Sequence, residues 1–522
     1  MPRTLAQSLH HAAEQGPADR RLVLATLTLA TAVAAALRLP FLATQSLWFD
    51  ETYTVHVVQA GSLGELWHRI GASESTPPLF YLLAWGWTHA LGSWSAASMR
   101  AVSALAIVAS VPIAYYALRR LAGAPSALAT AALLAVSPLL TWYALDARAY
   151  GLLVLTSLLS VWAFAAALAD GPTPRRLAVW ALAATATMWT HWFAGFLVLA
   201  EVVVLLWLRP RAWRGTALAA GAVLLSLLPL IGLLHDQTGD ARAAFIADSR
   251  LTARVEELVR QFAAGQNVPR TWLEAATLAV ALTALAAGAL LVSRRALAAP
   301  GDRSPLQGVS HADGARALLG LVVVSLFVPL VLGATELYDR FNVRNVLFAW
   351  PLVAAIAAPA LLRLRALPLA ALLALGLASS LWGDAAWPYQ NTDWRSAIAA
   401  IQAHTPAQPV IAVGRLGIPV AALYLHRPPV AEPLATRRAV LVVEPARSPG
   451  HRELAPIDPP LVGQLLARFP QHAEQRVHAF RVIELSAPAP VVLDPAKLPD
   501  AALFAGRAPV ARLTPAVRSG SG

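Results

Sequence analysis

Long apolar runs separated by short polar joints fill the first three quarters of the chain. Runs near 22–42, 97–118, 124–143, 150–168, 177–192, 194–208, 216–234, 272–292, 317–334, 345–362 and 367–383 approach the ~20 apolar residues that a helix needs to cross a bilayer. Together they predict about 11 transmembrane helices. A further stretch, "PPLFYLLAWGWTHALG" at 77–92, is short for a crossing and predicts a helix lying in or dipping into the membrane surface. Its Tyr81, Trp85 and Trp87, with nearby Trp94, suit the interface, where amphipathic rings collect.

The polar joints orient these runs. Basic residues gather at Arg20–Arg21, at Arg119–Arg120, and within 172–176, 209–214, 293–303 and 363–365. Such clusters mark the cytoplasmic side. The N-terminus is therefore expected in the cytoplasm, and the part from Asp384 onward outside. The first run lacks a small-residue cleavage pattern and reads as a retained anchor. Beyond Asp384 the pattern changes. "DWRSAIAAIQAH" predicts a helix, while "QPVIAVG", "RRAVLVVEP" and "HAFRVIELSAP" predict strands, which together indicate a small α/β domain. From about Ala487 the richness in Pro and Ala predicts a flexible end, and 296–314 reads as a loop. The expected fold is an α-helical polytopic membrane domain over 1–383 followed by an extracytoplasmic α/β domain over 384–522.

Composition supports this class. Of 522 residues, 57% are hydrophobic and 13% charged, about half the charged share of a soluble domain. The net charge of +12 is spread over the joints, so it does not point to nucleic acid. The absence of cysteine excludes disulfides, thiolate metal sites and a cysteine nucleophile. No glycine-rich phosphate loop is present, which argues against a soluble nucleotide-sugar donor.

With this sidedness, the unusual polar residues fall on the outer face: Asp50 and Glu51, Glu74, Asp146, Arg148 and Tyr150, His191, and Arg340 and Arg344. Ionisable groups at membrane depth are functional-site candidates. A carboxylate can take a proton from an acceptor hydroxyl, and arginines can hold a phosphate. Aromatic rings can receive a sugar or a lipid tail. This set suits transfer of a sugar from a lipid phosphate with inversion at the anomeric carbon. Each residue also has a plainer role. Asp50 can cap a helix beginning at Glu51, and Glu51 can favour that helix's first turn. Asp146 and Arg148 can pair at a helix end, and His191 can be an interfacial turn residue. Arg340 and Arg344 stand four apart on a possible helix. Arg250 and Arg254 share that spacing, in a long loop where a solvated amphipathic face is expected. Asp50, Glu51 and Asp146 can offer oxygen ligands to a divalent cation, but no histidine spacing demands a transition metal.

The segments "SLWFDETYTV", "PPLFYLL", "WSAASMRAVSALAIVASVPIAYYALRRLAG" and "SPLLTWYALDARAY" resemble the membrane-embedded GT-C glycosyltransferases. The nearest branch is the bacterial one similar to protein O-mannosyltransferases and the lipid A aminoarabinose transferase. The resemblance covers about residues 20–390, and "TDWRSAIAAI" extends it. It implies a polyprenyl-phosphate sugar donor, a glycan, lipid or protein acceptor, and action on the extracytoplasmic face of a bacterial cell membrane. It places the catalytic acid at Asp50 with Glu51 as neighbour, and matches an "ARxY" pattern to Ala147, Arg148 and Tyr150, preceded by Asp146. Two departures stand out: Thr76 occupies the position where a His often precedes the Pro pair, and the late element reads "DRFNVRN". The rival class is a transporter or flippase of a lipid-linked sugar. That class tends to show inverted repeats and broken midplane helices. No such repeat is evident, and the polar groups gather at one face.

Overall fold

The computed structural model describes residues 17–238, 246–266, 268, 271–298, 310–404, 407–447 and 454–506. Most of the predicted 296–314 loop and the last sixteen residues lie outside them. The chain forms two compact units. One extends to Ala386 without Gln45–Thr52, and the other comprises Gln45–Thr52 together with the chain from Trp387 onward.

Up to Ala386 the regular structure is helical. It begins with α1 (Pro17–Ala36), α2 (Phe49–Val58), α3 (Leu63–Ser73), α4 (Leu79–Leu91), α5 (Ala96–Ala122) and α6 (Ala124–Val136). Next come α7 (Pro138–Ala144), α8 (Tyr150–Asp170), α9 (Pro174–Thr190), α10 (Ala194–Leu208), α11 (Trp213–Ser226) and α12 (Ile231–Thr238). It ends with α13 (Leu251–Ala264), α14 (Trp272–Leu297), α15 (His311–Ala334), α16 (Trp350–Leu361) and α17 (Leu367–Ala385). Among the described residues, seven helical runs are long and apolar enough to cross a membrane, and eight if α6 and α7 form one bent span. Three of the expected spans are shorter helices: α9, α10 and the run 347–361. The 77–92 stretch is the 13-residue α4, short as its sequence predicts.

Small residues set the packing. A Cβ on Gly288 of α14 would fall 2.1 Å from the Ile356 carbonyl of α16, so those backbones touch there. The span expected over 124–143 is bent by 56° between α6 and α7. Pro138 has no N–H to continue α6, and the Ser137 hydroxyl accepts from Leu140 N at 3.4 Å to start α7. The bend frees carbonyls at the end of α6. The fully buried Arg38 takes them up, donating to Ala135 O at 2.8 Å and Leu134 O at 3.2 Å. A second buried charge-bearing group, Glu201 of α10, accepts from Ser160 of α8 at 2.7 Å and Trp180 of α9 at 2.8 Å. An acid in an apolar bundle is costly without such partners, and this one joins three helices.

The second unit is an α/β sandwich. Its helices are α18 (Trp394–His404), α19 (Ile418–Leu425) and α20 (Pro460–Arg468). Its strands are β1 (Val410–Val413), β2 (Leu434–Val443), β3 (Ala446–Arg447), β4 (Leu454–Ala455), β5 (Gln471–Val477), β6 (Phe480–Leu493) and β7 (Ala501–Phe504). The main sheet runs β5-β6-β2-β1-β7, with β1 and β2 parallel and the other pairs antiparallel. Alternation along β1 sends Val410 and Ala412 into one core with Trp394 and Val420, and Ile411 and Val413 into the other with Leu461 and Leu465. The expected flexible end is corrected over 487–506, while 507–522 lie outside the described residues: β6 continues to Leu493 and β7 completes the sheet edge, because Val491 pairs with Thr436 and Leu503 with Ile411. Segment 45–52 is stitched into this unit. Ser46 Oγ donates to Asp393 at 2.8 Å, Leu47 N to Tyr424 Oη at 2.9 Å, Asn391 N to Gln45 Oε1 at 3.2 Å, and Phe49 packs on the Trp394 core.

Candidate active site

The acid pair opens α2. Phe49 starts this helix, so Asp50 and Glu51 both lie in its first turn rather than Asp50 preceding it. Glu51 is fully buried, and its Oε2 accepts from Trp48 N at 3.1 Å while its own N donates to Trp48 O at 3.0 Å. This reciprocal closure of the first turn is a capping arrangement. Asp50 is half-buried. Thr54 follows one turn later on the same helix.

Glu74 and Arg148 form the centre of the bundle's polar cluster. Arg148 Nη1 lies 3.0 Å from Glu74 Oε1 and Nη2 lies 2.8 Å from Oε2, with both residues buried. Two parallel charge-assisted bonds fix orientation as well as attraction. Arg148 Nη1 also donates to Thr54 Oγ1 at 3.3 Å. Tyr81 Oη donates to Glu74 Oε2 at 2.7 Å and lies 3.1 Å from Thr76 Oγ1. Tyr81 is thus fully buried, which corrects its expected place at the membrane interface. The Thr76 carbonyl accepts from Gln237 at 3.0 Å, and Gln237 in turn accepts from Trp192 at 2.9 Å. Tyr81, Arg148 and Gln237, from three separate stretches of chain, therefore hold the Glu74 loop.

Arg148 is placed by its backbone. Its N donates to Asp146 O at 2.8 Å, and its O accepts from Ser103 Oγ of α5 at 2.9 Å. A tight turn between α7 and α8 results. Arg148 pairs with Glu74 through both its Nη groups, which is a longer-range partnership than the local pairing with Asp146 considered from sequence. Tyr150, at the start of α8, packs edge-on to Tyr143 with centroids 5.1 Å apart and lies 6.1 Å from the His191 ring. His191 terminates α9 and is buried, and its Nδ1 accepts from Phe193 N at 3.2 Å. Arg148 and Arg344 are both near enough for their charges to act on His191, and Arg344 and Asp146 both act on Tyr143. Six of the expected substrate-binding residues thus gather in one region: Glu74, Asp146, Arg148, Tyr150, His191 and Arg344.

Two expectations about arginines are corrected. Arg340 and Arg344 lie in non-helical chain held by Asn345, which donates to Arg340 O at 2.7 Å and whose N bonds Asn342 Oδ1 at 3.0 Å. Arg254, expected on a solvated face, is buried on α13, donating to Asp339 Oδ2 at 2.9 Å and Phe341 O at 3.0 Å. It anchors the Arg340–Arg344 segment. Sequence reasoning missed Tyr81, Gln237 and Thr54. For Tyr81 the usable signal was its place one turn beyond a Pro-Pro pair that follows an acid.

The bundle also holds an apolar cavity of about 370 Å³, lined by Pro138, Leu258, Phe262, Leu285, Trp350 and Ala357 among others. Among the described residues no group of three His, Asp or Glu side chains is placed to hold a metal ion.

The dolichyl-phosphate-mannose-protein mannosyltransferase family matches residues 75–234, which include Glu74's neighbouring Pro pair, Arg148 and His191. No curated protein matches the chain in sequence. Among solved structures, the Archaeoglobus fulgidus oligosaccharyltransferase AglB, in complex with an inhibitory peptide and a dolichol-phosphate, superposes with a TM-score of 0.51 at 13% identity over 79% of this chain. The chain spans 64% of that protein's length. The Cupriavidus metallidurans protein ArnT bound to undecaprenyl phosphate gives a TM-score of 0.43 at 13% identity, covering 88% of this chain and 98% of its own. The chain is a multi-pass membrane protein with the GT-C glycosyltransferase fold.

Proposed function

We propose that this protein moves a sugar from a polyprenyl-phosphate carrier to a hydroxyl of a cell-envelope acceptor on the extracytoplasmic face. The observation that carries the reading is the buried Glu74–Arg148 pair with Tyr150 and His191 close by, in a bundle that also holds an apolar cavity suited to an isoprenoid chain. In this reading Asp50 is the general base. It takes the acceptor's proton as the acceptor oxygen bonds the anomeric carbon, and the bond from that carbon to the phosphate oxygen breaks. Attack opposite the leaving phosphate inverts the carbon. Arg340 and Arg344 hold the phosphate in this reading, while the Arg148 Nη groups bond Glu74 and Thr54. Arg148 adds its field and holds α2 through Thr54. Glu51 shapes the helix turn that presents Asp50. Tyr150 and His191 offer a ring face and a polar edge to the sugar.

Purified protein offered mannose, arabinose, glucose and galactosamine polyprenyl phosphates should form a new glycoside of inverted anomeric configuration. Asp50→Asn should reduce turnover by on the order of 10²-fold or more while the protein remains inserted and folded. Undiminished turnover in that variant would remove Asp50 as the base. Transbilayer movement of lipid-linked sugar without glycoside formation would instead establish a flippase.

A further inference from the structure

The bundle holds a second groove, apart from the cavity lined by Pro138, Phe262 and Trp350. It encloses about 820 Å³ between α14, the end of α16 and the start of α17. Alanines at 279, 284, 287, 360 and 371 hollow it out, and Leu290 and Leu367 are among its larger apolar walls. Two charged residues line it, Arg294 and Arg363, and both are exposed. Arg294 lies in the last turn of α14 and Arg363 two residues past α16, so each stands at the C-terminal end of its helix. From Ala279 to Arg294 the groove follows α14 for about 22 Å, somewhat more than one hydrocarbon leaflet of ~15 Å.

The linker beyond Arg363 has an unusual conformation. Arg365 and Ala366 have φ of 58° and 61°, a left-handed geometry that costs a residue with a side chain about 1–2 kcal/mol. Burial of Ala366 against Leu361, Leu369 and Leu372 holds it. The tight turn starts α17 at Leu367 and Pro368, both in the groove wall. The positive end of that helix thus faces the groove at the end where Arg363 stands.

The geometry points to a binding site for an anionic phospholipid. Its acyl chain lies along the alanine-lined wall of α14, and its phosphate is held by Arg294 and Arg363 at the N-terminal end of α17. Charge complementarity selects this occupant: the groove is apolar along its length and basic at one end, the polarity of a negatively charged lipid. Both arginines belong to the basic joints at 293–303 and 363–365, which places the headgroup in the cytoplasmic leaflet, where polybasic segments meet anionic lipid.

The test is native mass spectrometry of the intact protein released from nanodiscs of equal phosphatidylcholine and phosphatidylglycerol. Wild type should retain phosphatidylglycerol over phosphatidylcholine by on the order of tenfold. Arg294→Gln with Arg363→Gln should bring that ratio close to one. Ala287→Trp, which fills the groove and keeps both charges, should lower it as well. Arg211→Gln with Arg214→Gln, in another basic joint, should leave it unchanged. No preference in wild type, or an unchanged ratio in either groove variant, would overturn the proposal. An equal loss in the Arg211 and Arg214 variant would overturn it too, by showing a general effect of basic charge.

Discussion

Arg148 and Glu74 meet fork to fork, with both guanidinium arms against both carboxylate oxygens in the bundle interior. Removing one partner strands the other as a buried, uncompensated charge, at a cost of about 3–5 kcal/mol. Glu74→Ala should therefore lower the apparent Tm in detergent markedly. Adding Arg148→Ala should restore part of the loss. Strictly additive effects in this cycle would mean that the pair is not coupled.

Packing around Arg148 matters as much as its charge. A Cβ on Gly151 would lie 2.6 Å from Ser103 O, on the residue whose hydroxyl bonds the Arg148 carbonyl. Gly151→Ala should push α8 from α5 and shift the Asp146–Tyr150 turn. Turnover should fall by up to ~10²-fold, with a smaller change in KM. Gly221→Ala, where no atom lies within 4 Å of the new Cβ, is the control and should leave kcat intact. Equal kcat for the two variants would refute the argument.

The segment before Asp50 is fastened by the second unit, through Tyr424 to Leu47 N and Ser46 to Asp393. Tyr424→Phe deletes one of these bonds at a cost of about 1 kcal/mol. It should loosen the start of α2 and reduce kcat severalfold while leaving donor KM near its original value. A variant with wild-type kcat would show that this fastening has no part in turnover.

Glu444 makes the second unit sensitive to pH. Burial raises its carboxyl to about 7, against smaller opposing hydrogen bonds from Trp394, the Gly417 backbone and Thr392. A Cβ on Gly414 would fall 2.6 Å from the Glu444 Oε2, and Gly414 has φ of 128°. A raised carboxyl favours the folded state while protonated. Stability should therefore decline as pH rises from about 4.5 through about 7, by about 3 kcal/mol in total. Glu444→Gln keeps an acceptor for Trp394 and carries no charge. It should match wild type in Tm at pH 4 and exceed it at pH 8. Parallel pH profiles for the two proteins would exclude Glu444 as the cause.

Much of the fold was legible because hydropathy and charge act locally. Runs such as 150–168 and 272–292 became α8 and α14, and 77–92 became the 13-residue α4. The bend at Pro138 was also written in the chain, as a Ser-Pro start signal, but hydropathy averaged over it. The pairing of Glu74 with Arg148 was not readable, since the partners are far apart in sequence and no local periodicity links them. The same holds for Arg254 and Asp339: the amphipathic face of α13 was visible, but what it would meet was not. Segment 45–52 posed the hardest problem. It reads as a joint after the first span, yet its Ser46 and Phe49 side chains and the Leu47 amide are spent on Asp393, the Trp394 core and Tyr424.

The Phe193 amide has a consequence for how His191 can behave. An N–H can only give its proton, so the ring nitrogen facing it must be the one with a lone pair, and a neutral imidazole then carries hydrogen on Nε2. Such a ring greets an incoming oxygen by offering hydrogen to it and has no vacant site with which to strip one away, which leaves that task to a carboxylate.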